Sequence, residues 1–226
     1  MHKIFIVVAA YNEGKSIQKV ISKLKHSGYH NIVVVDDGSR DETSKTALDA
    51  GAIVLRHVVN RGQGAALKTG MDYALRNDAD LIIHFDADGQ HRVEDLEAMI
   101  APVASGKYDI SIGSRFIKNT TKMPLFRKIS LKIAVMIMWL FYGVKMTDAH
   151  NGFRVMNRKA AQTINITSDR MEHASQIIEE MHRKKLRYTE VPITVLYTDY
   201  SLQHGHGGII QAVKIFSKMI FRKLMD

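Results

Sequence analysis

Short apolar runs alternate with stretches whose apolar positions recur every three or four residues, and this alternation organises the first half of the chain. "KIFIVVAA" reads as a strand, and "GKSIQKVISKLKHSG" as an amphipathic helix. "NIVVVDDGS" repeats the strand pattern, and "DETSKTALDAG" reads as a helix beginning near Glu42, capped by Asp41 and stopped at Gly51. "AIVLRHV", "GAALKTGMDYALRND", "ADLIIHFDAD", "RVEDLEAMIAPVASG" and "YDISIGSR" continue the series as strand, helix, strand, helix and strand. Strands separated by helices of this length predict a parallel sheet with helices on both faces. Ligands of such sheets bind outside the carboxyl ends of the strands. Asn12 and Glu13, Asp36 and Asp37, Asp86 and Asp88, and Ser114 with Arg115 all follow strand ends, so they are expected in one crevice.

The pattern changes after Arg115. "FIKNTTKMP" reads as a loop, and "LFRKISLKIAVMIMWLFYGV" carries bases at its front and an unbroken apolar tail from Ile133 to Tyr142. A membrane span needs ~20 apolar residues, so this tail predicts a buried helix or one lying in a lipid interface. "TDAHNGFRVMNRKAAQTI" reads as turn, strand and helix, "EHASQIIEEMHRKKL" as a helix, and "RYTEVPITVLYT" as a strand. A polar loop, "DYSLQHGHGG", precedes a last helix over residues 209–226. On it Ile209, Val213, Phe216, Ile220 and Leu224 share one face while Lys214, Lys218 and Arg222 fall on another. Such a helix either lies on anionic lipid or packs its apolar face on the domain. With no repeat or linker, one domain is expected over 1–226: a first half to residue 115, a second to 208, and the terminal helix.

Composition narrows the possibilities. The 226 residues are 46% hydrophobic and 24% charged, enough for a sizeable core, and the absence of cysteine excludes disulfides and thiolate metal sites. The N-terminal run lacks a secretory cleavage pattern. A formal net charge of +9 calls for an anionic partner: phosphorylated substrate, anionic lipid or nucleic acid. No nucleic-acid signature accompanies the bases, so nucleic acid is the weakest of the three.

Three motifs carry chemistry. In "FDADGQH", Asp86 and Asp88 stand one residue apart, a spacing that on a strand aims both acids to one side, and their repulsion calls for a cation. Carboxylate and amide oxygens suit Mg²⁺ or Mn²⁺, which commonly also take substrate phosphate oxygens. In "VVVDDGSRDET", Asp36 and Asp37 offer acceptors where an open sheet takes ribose or base groups. In "NRGQGAALKTG", the glycines allow close backbone approach and the helix behind them presents a positive end, although the P-loop spacing is absent. His204 and His206 lack a further ligand at fitting spacing, and read as part of a flexible loop that closes over phosphate.

Taken in order, "VVAAYNE", "VVVDDGSRDET", "NRGQGAALKTG", "FDADGQH", "IGSR" and "NGFRVMNR" resemble the family 2 glycosyltransferases, nearest to the dolichyl- and undecaprenyl-phosphate sugar synthases. The resemblance implies an α/β GT-A fold, a UDP- or GDP-sugar donor and inversion at the anomeric carbon. It implies that Ala9, Tyr11, Glu13, Asp36, Asp37, Gly64, Asp86, Ala87 and Asp88 line the nucleotide-sugar pocket. Asp86, Asp88 and Gln90 would hold the metal. Arg115 would face the reacting phosphates, with Arg127, Ser130 and Arg154 beside the acceptor phosphate and Asp148 near the acceptor. Gln63 departs from the family, whose members often carry Lys there.

A hydroxyl acceptor requires a general base, for which Asp148 is the candidate. A phosphate monoester, with a second pKa of about 6, is already mostly dianionic and needs cations instead. The favoured expectation is therefore transfer to a polyprenyl phosphate by a peripheral enzyme at the cytoplasmic face of the membrane. The alternatives are transfer to a hydroxyl of a lipid-linked saccharide, a nucleotidyltransferase, whose basic glycine-rich loop is not evident after the first strand, and a basic membrane-docking protein, which leaves Asp86 and Asp88 unexplained.

Overall fold

A computed structural model of the chain describes residues 2–118, 125–148 and 151–196; the side chains of residues 126, 127, 137, 141 and 142 fall outside this description, as does the expected C-terminal helix. The strands are β1 (Ile4–Ala10), β2 (Ile32–Asp36), β3 (Ile53–Arg56), β4 (Leu81–His84), β5 (Ile110–Ser114), β6 (Arg154–Asn157) and β7 (Tyr188–Pro192). The helices are α1 (Ile17–His26), α2 (Thr43–Asp49), α3 (Gln63–Arg76), α4 (Leu96–Ala104), α5 (Leu125–Tyr142), α6 (Arg158–Thr163) and α7 (His173–Arg183). One seven-stranded sheet runs β3-β2-β1-β4-β6-β5-β7, parallel except for β6, which lies antiparallel between β4 and β5.

The strands are continuously apolar because both faces of the sheet are covered. Their two-residue period sorts side chains to opposite sides. Phe5, Val7, Val33 and Val35 join α3, α6 and α7 in one core. Ile6, Val8, Ile32 and Val34 join α1 and α4 in the other. Gly70 sets the depth at which α3 rests on β1, since a Cβ there would stand 2.2 Å from a Val7 methyl. The order reverses at β1: successive crossovers lead from β1 to β2 and β3 on one side, then return to β4 on the other. The loops after β1 and β4 flank that reversal, where open α/β sheets bind ligands.

Three boundaries differ from those read in the sequence. β4 ends at His84, so Asp86 and Asp88 lie in the loop beyond the strand and are placed by that loop, not by strand alternation. α2 begins at Thr43 with Glu42 as a cap that makes no side-chain bond. Asp41 instead accepts from the backbone N–H groups of Thr43 (3.1 Å) and Gly14 (3.0 Å), tying two loops together. β7 stops at Pro192, and Val195 then pairs with His91 as an isolated antiparallel bridge. α5 matches the expected helical run, though much of it is not buried.

Candidate active site

The loops after β1 and β2 are laced to each other. The Asn12 N–H donates to Ser39 Oγ (2.9 Å), the Arg40 N–H to Asn12 Oδ1 (2.9 Å) and the Glu13 N–H to Thr43 Oγ1 (2.8 Å). Asn12 takes a left-handed conformation, φ 56°, to make that turn. Ala9 and Glu13 are half-buried at this rim and Tyr11 is exposed. Asp36 and Asp37 are buried, and the chain itself engages both. Asp36 accepts from the Ser39 N–H (2.9 Å) and from the Ser44 hydroxyl. Asp37 accepts from the N–H groups of Arg61 (3.0 Å) and Gly62 (2.6 Å) and lies 2.7 Å from His57 Nδ1. Asp37 thereby fastens the segment leading into α3 to the end of β2.

The start of α3 is likewise engaged. The Ala65 N–H donates to the Asp169 carbonyl (3.0 Å), and a side chain at Gly64 would run into the Ser168 carbonyl at 2.1 Å. The positive end expected there for a ligand is met in part by the backbone of residues 168–169. Gln63, in contrast, reaches the acid loop, its amide N–H donating to Asp86 Oδ1 at 3.4 Å.

Beyond β4 the charges are of a different kind. Asp86 Oδ2 lies 2.8 Å from His91 Nε2, and the His91 ring forms a three-ring cluster with Phe85 and Phe153. Gly152 packs against the same carboxyl, where a Cβ would stand 2.5 Å from Oδ1. Burial pushes the Asp86 pKa up, but His91, Arg154 and His173 outweigh it and hold the group below the usual carboxylate value. Asp88 moves the other way: burial raises its pKa, the charge of Asp86 raises it further, and the N–H donors of Gln90 offset this only partly. Ala87 between them is buried.

Among the described residues no group of three or more His, Cys, Asp or Glu side chains surrounds one point. A divalent cation would therefore take the two carboxylates and an amide such as Gln90, with other ligands from substrate. Two carboxylates, one destabilised by the other's charge, form an oxygen donor set that a hard divalent cation suits. The residues fit Mg²⁺ or Mn²⁺.

Behind the acids lies a buried row of opposite charges. Arg154, opposite His84 across the β4–β6 ladder, is 1% exposed, with Nε and Nη1 lacking hydrogen-bond partners among the described residues. Burial pulls its pKa down to about 10, and Asp86 and Asp148 oppose that shift. Asp148 in turn binds Arg115 through both oxygens, 2.6 Å from Nε and 2.6 Å from Nη2. Glu190 of β7 holds this segment, accepting from the N–H groups of Thr147 (2.8 Å) and Asp148 (3.0 Å).

The expected residues Arg115, Asp148, Arg154, Asp86 and Asp88 thus come together. Ser130 is half-buried on α5, and of Arg127 only the helical backbone is described. His204 and His206 lie outside the described residues. Sequence reasoning missed Gly152 and Glu190. Only the Asn151-Gly152 pair, just before β6, signalled a close approach.

Comparison with known proteins gives the class of the protein. The profile of glycosyl transferase family 2 matches residues 5–164, so the chain belongs to that family and is a glycosyltransferase with a GT-A fold. It is 32% identical to the UDP-N-acetylglucosamine–dolichyl-phosphate N-acetylglucosaminyltransferase of Methanococcus voltae, over 98% of this chain and 96% of that one. It is 27% identical to the polyprenol monophosphomannose synthase of Mycolicibacterium smegmatis, over 87% of this chain and 78% of that one. Among solved structures it is similar to glucosyl-3-phosphoglycerate synthase from Mycobacterium tuberculosis in complex with Mn²⁺ and UDP-glucose, with a TM-score of 0.73, 16% identity, and coverage of 98% and 79%.

Proposed function

We propose that this glycosyltransferase moves a sugar from a nucleotide-sugar donor to a polyprenyl phosphate at a membrane surface. The relatives from Methanococcus and Mycolicibacterium, named for dolichyl- and polyprenol-linked chemistry, support the acceptor class. Asp86 and Asp88, with Gln90, would hold Mg²⁺ or Mn²⁺, which when bound offsets the charge of a departing nucleoside diphosphate. The mycobacterial synthase of the same fold, crystallised with Mn²⁺ and UDP-glucose, agrees with that.

The observation that carries the phosphate reading is the state of Asp148. It is 0% exposed and already accepts two charge-assisted hydrogen bonds from one guanidinium, so it is poorly placed to take a proton from a hydroxyl. Its work is to orient Arg115. A phosphate dianion needs no base; it needs cations held in position, and Arg115 is fixed by buried Asp148 while Arg154 is confined by its own burial, so both cost little reorganisation. The acceptor oxygen then attacks the anomeric carbon on the face opposite the diphosphate, which inverts that centre. Ala9, Tyr11 and Glu13 at the β1 rim would meet the nucleotide. Asp36 and Asp37 would shape that pocket through the loops they tie.

The test is to incubate the full chain with UDP-N-acetylglucosamine, farnesyl phosphate and Mn²⁺, and to follow sugar into the organic phase. Transfer that requires Mn²⁺ and disappears in Asp88→Asn supports the reading. Transfer only to a lipid-linked saccharide, with Asp148→Asn losing several orders of magnitude, would replace it with the hydroxyl-acceptor reaction.

A further inference from the structure

Residues 144–148 lead from α5 to Asp148 and belong to no helix or strand. Two side chains of β7, the edge strand of the sheet, hold them in place. Tyr188 and Glu190 stand two residues apart and share one face of that strand. The Tyr188 hydroxyl donates to the Lys145 carbonyl at 3.3 Å. Glu190 makes the larger set: its carboxylate accepts from the Thr147 N–H (2.8 Å), the Thr147 hydroxyl (2.8 Å) and the Asp148 N–H (3.0 Å). A carboxylate can only accept, so the one proton of the Thr147 hydroxyl points at Glu190. At its 2.6 Å contact with Ser114 Oγ, Thr147 is therefore the acceptor and the Ser114 hydroxyl donates. Ser114 Oγ in turn accepts the Phe116 N–H at 3.2 Å. Both lines of contact close on Arg115. One fixes the backbone on either side of it. The other fixes Asp148, which accepts from the Arg115 N–H (3.2 Å) and from two guanidinium nitrogens (2.6 Å each).

We infer that Glu190 is a positioning residue for the acceptor: it sets the aim of Arg115, and with it the affinity for the acceptor phosphate, without touching substrate. Its hydrogen-bond donors are Thr147 and Asp148, in the one segment that carries the partner of Arg115. That segment has no sheet ladder of its own to keep its place, so the side-chain clamp takes the ladder's part. The clamp is also remote from the donor side. The loops that would meet the nucleotide and the metal follow β1, β2 and β4, and β6 and β5 separate β4 from β7. Acceptor affinity therefore depends on Glu190 and donor affinity does not. The inference rests on the polyprenyl-phosphate reading and adds the residue that tunes its acceptor site.

The full chain is assayed with UDP-N-acetylglucosamine, Mn²⁺ and farnesyl phosphate, and UDP binding is measured beside turnover. Glu190→Gln is nearly isosteric, but its amide nitrogen is a donor and would face an N–H where a carboxylate oxygen now accepts. The expected result is a rise of about ten-fold in KM for farnesyl phosphate, with UDP binding and KM for the nucleotide sugar unmoved. Thr147→Val removes only the hydroxyl link; it should raise the same KM about three-fold, and it decides the matter if Glu190→Gln does not fold. Tyr188→Phe cuts the other tie, at Lys145, and should leave that KM within about two-fold of wild type. Because Glu190 acts through Arg115, Glu190→Gln should add less than about two-fold on top of Arg115→Lys. An acceptor KM unmoved by these changes, equal rises in Glu190→Gln and Tyr188→Phe, a nucleotide-sugar KM that rises in step, or a full effect in the Arg115→Lys background overturns the role of Glu190 and spares the acceptor reading. A wild-type enzyme that does not turn over farnesyl phosphate overturns that reading and this inference with it.

Discussion

Two acidic pairs stand at the ends of the strands on either side of β1, and the sequence presents them as near equals. Asp36 and Asp37 follow β2; Asp86 and Asp88 follow β4. The first pair is enclosed by donors of its own chain, with the N–H groups of Ser39, Arg61 and Gly62 and the ring of His57 all directed at it. The second is left with an internal conflict, because the charge of Asp86 makes ionisation of Asp88 harder. Gln90, His91 and Gln63 also engage the second pair but leave its repulsion in place, whereas the donors on the first tie separate loops together. A carboxylate held against a like charge is poised to take a cation. The partners of Asp37 come from residues 24 and 25 positions away, whereas the conflict at Asp88 comes from the acid beside it.

The largest effect separating the pairs is expected at Asp88. Asp88→Asn removes the donor charge and with it the repulsion, so turnover should fall about a hundred- to a thousand-fold, while thermal stability stays level or rises. Coupled turnover and thermal-shift measurements decide it, and a large drop in stability would place Asp88 with the structural pair. Asp37→Ala should do the reverse. It leaves the N–H groups of Arg61 and Gly62 unpaired in a buried loop, at a cost of about 2–4 kcal/mol read by chemical denaturation. Nucleotide binding at saturating stability should weaken only through the shifted loop.

A smaller and more selective change is Gly152→Ala, whose methyl would press on the Asp86 carboxyl. Turnover should drop about ten- to a hundred-fold through misplacement of that acid, with metal-dependent UDP binding weakened in step. Normal activity in this variant would mean that Asp86 need not hold its place. The smallest effect is expected at Asp109, a structural acid remote from the site. Hydrogen bonds from Arg187 outweigh its burial and hold its pKa well below the usual value. A depressed carboxylate contributes stability that is present above its unfolded pKa of about 3.9 and lost as pH falls through the folded value. Asp109→Asn should therefore cost about 1–2 kcal/mol at neutral pH and flatten the loss of stability below pH ~4, as acid-unfolding midpoints will show.

Much of the fold was legible because local rules and tertiary structure agree. The β-branched runs became β1, β2 and β4 since each is buried on both faces, and α1 and α7 carry apolar stripes that meet the sheet. The motif order also sufficed to place Asp86, Asp88, Arg115, Asp148 and Arg154 in one region. Their pairing was not legible. That Asp148 would spend both oxygens on Arg115 depends on Glu190, in a strand that follows forty residues later. That β6 would run antiparallel, and so set Arg154 against His84 and close to Asp86, is a matter of topology that no single strand encodes.

The sequence by itself determined the alternation of strands and helices, the parallel half of the sheet and the presence of acids at its carboxyl ends, because period and turn chemistry are properties of neighbouring residues. Tertiary structure alone decided that Asp37 is consumed by the segment leading into α3. It also decided that the glycine at position 152 must admit Asp86, and that Ile129, Ile133, Met136 and Leu140 of α5 are exposed. Burial, charge pairing and close approach are set by residues distant in sequence, and they exist only once the sheet has brought those residues together.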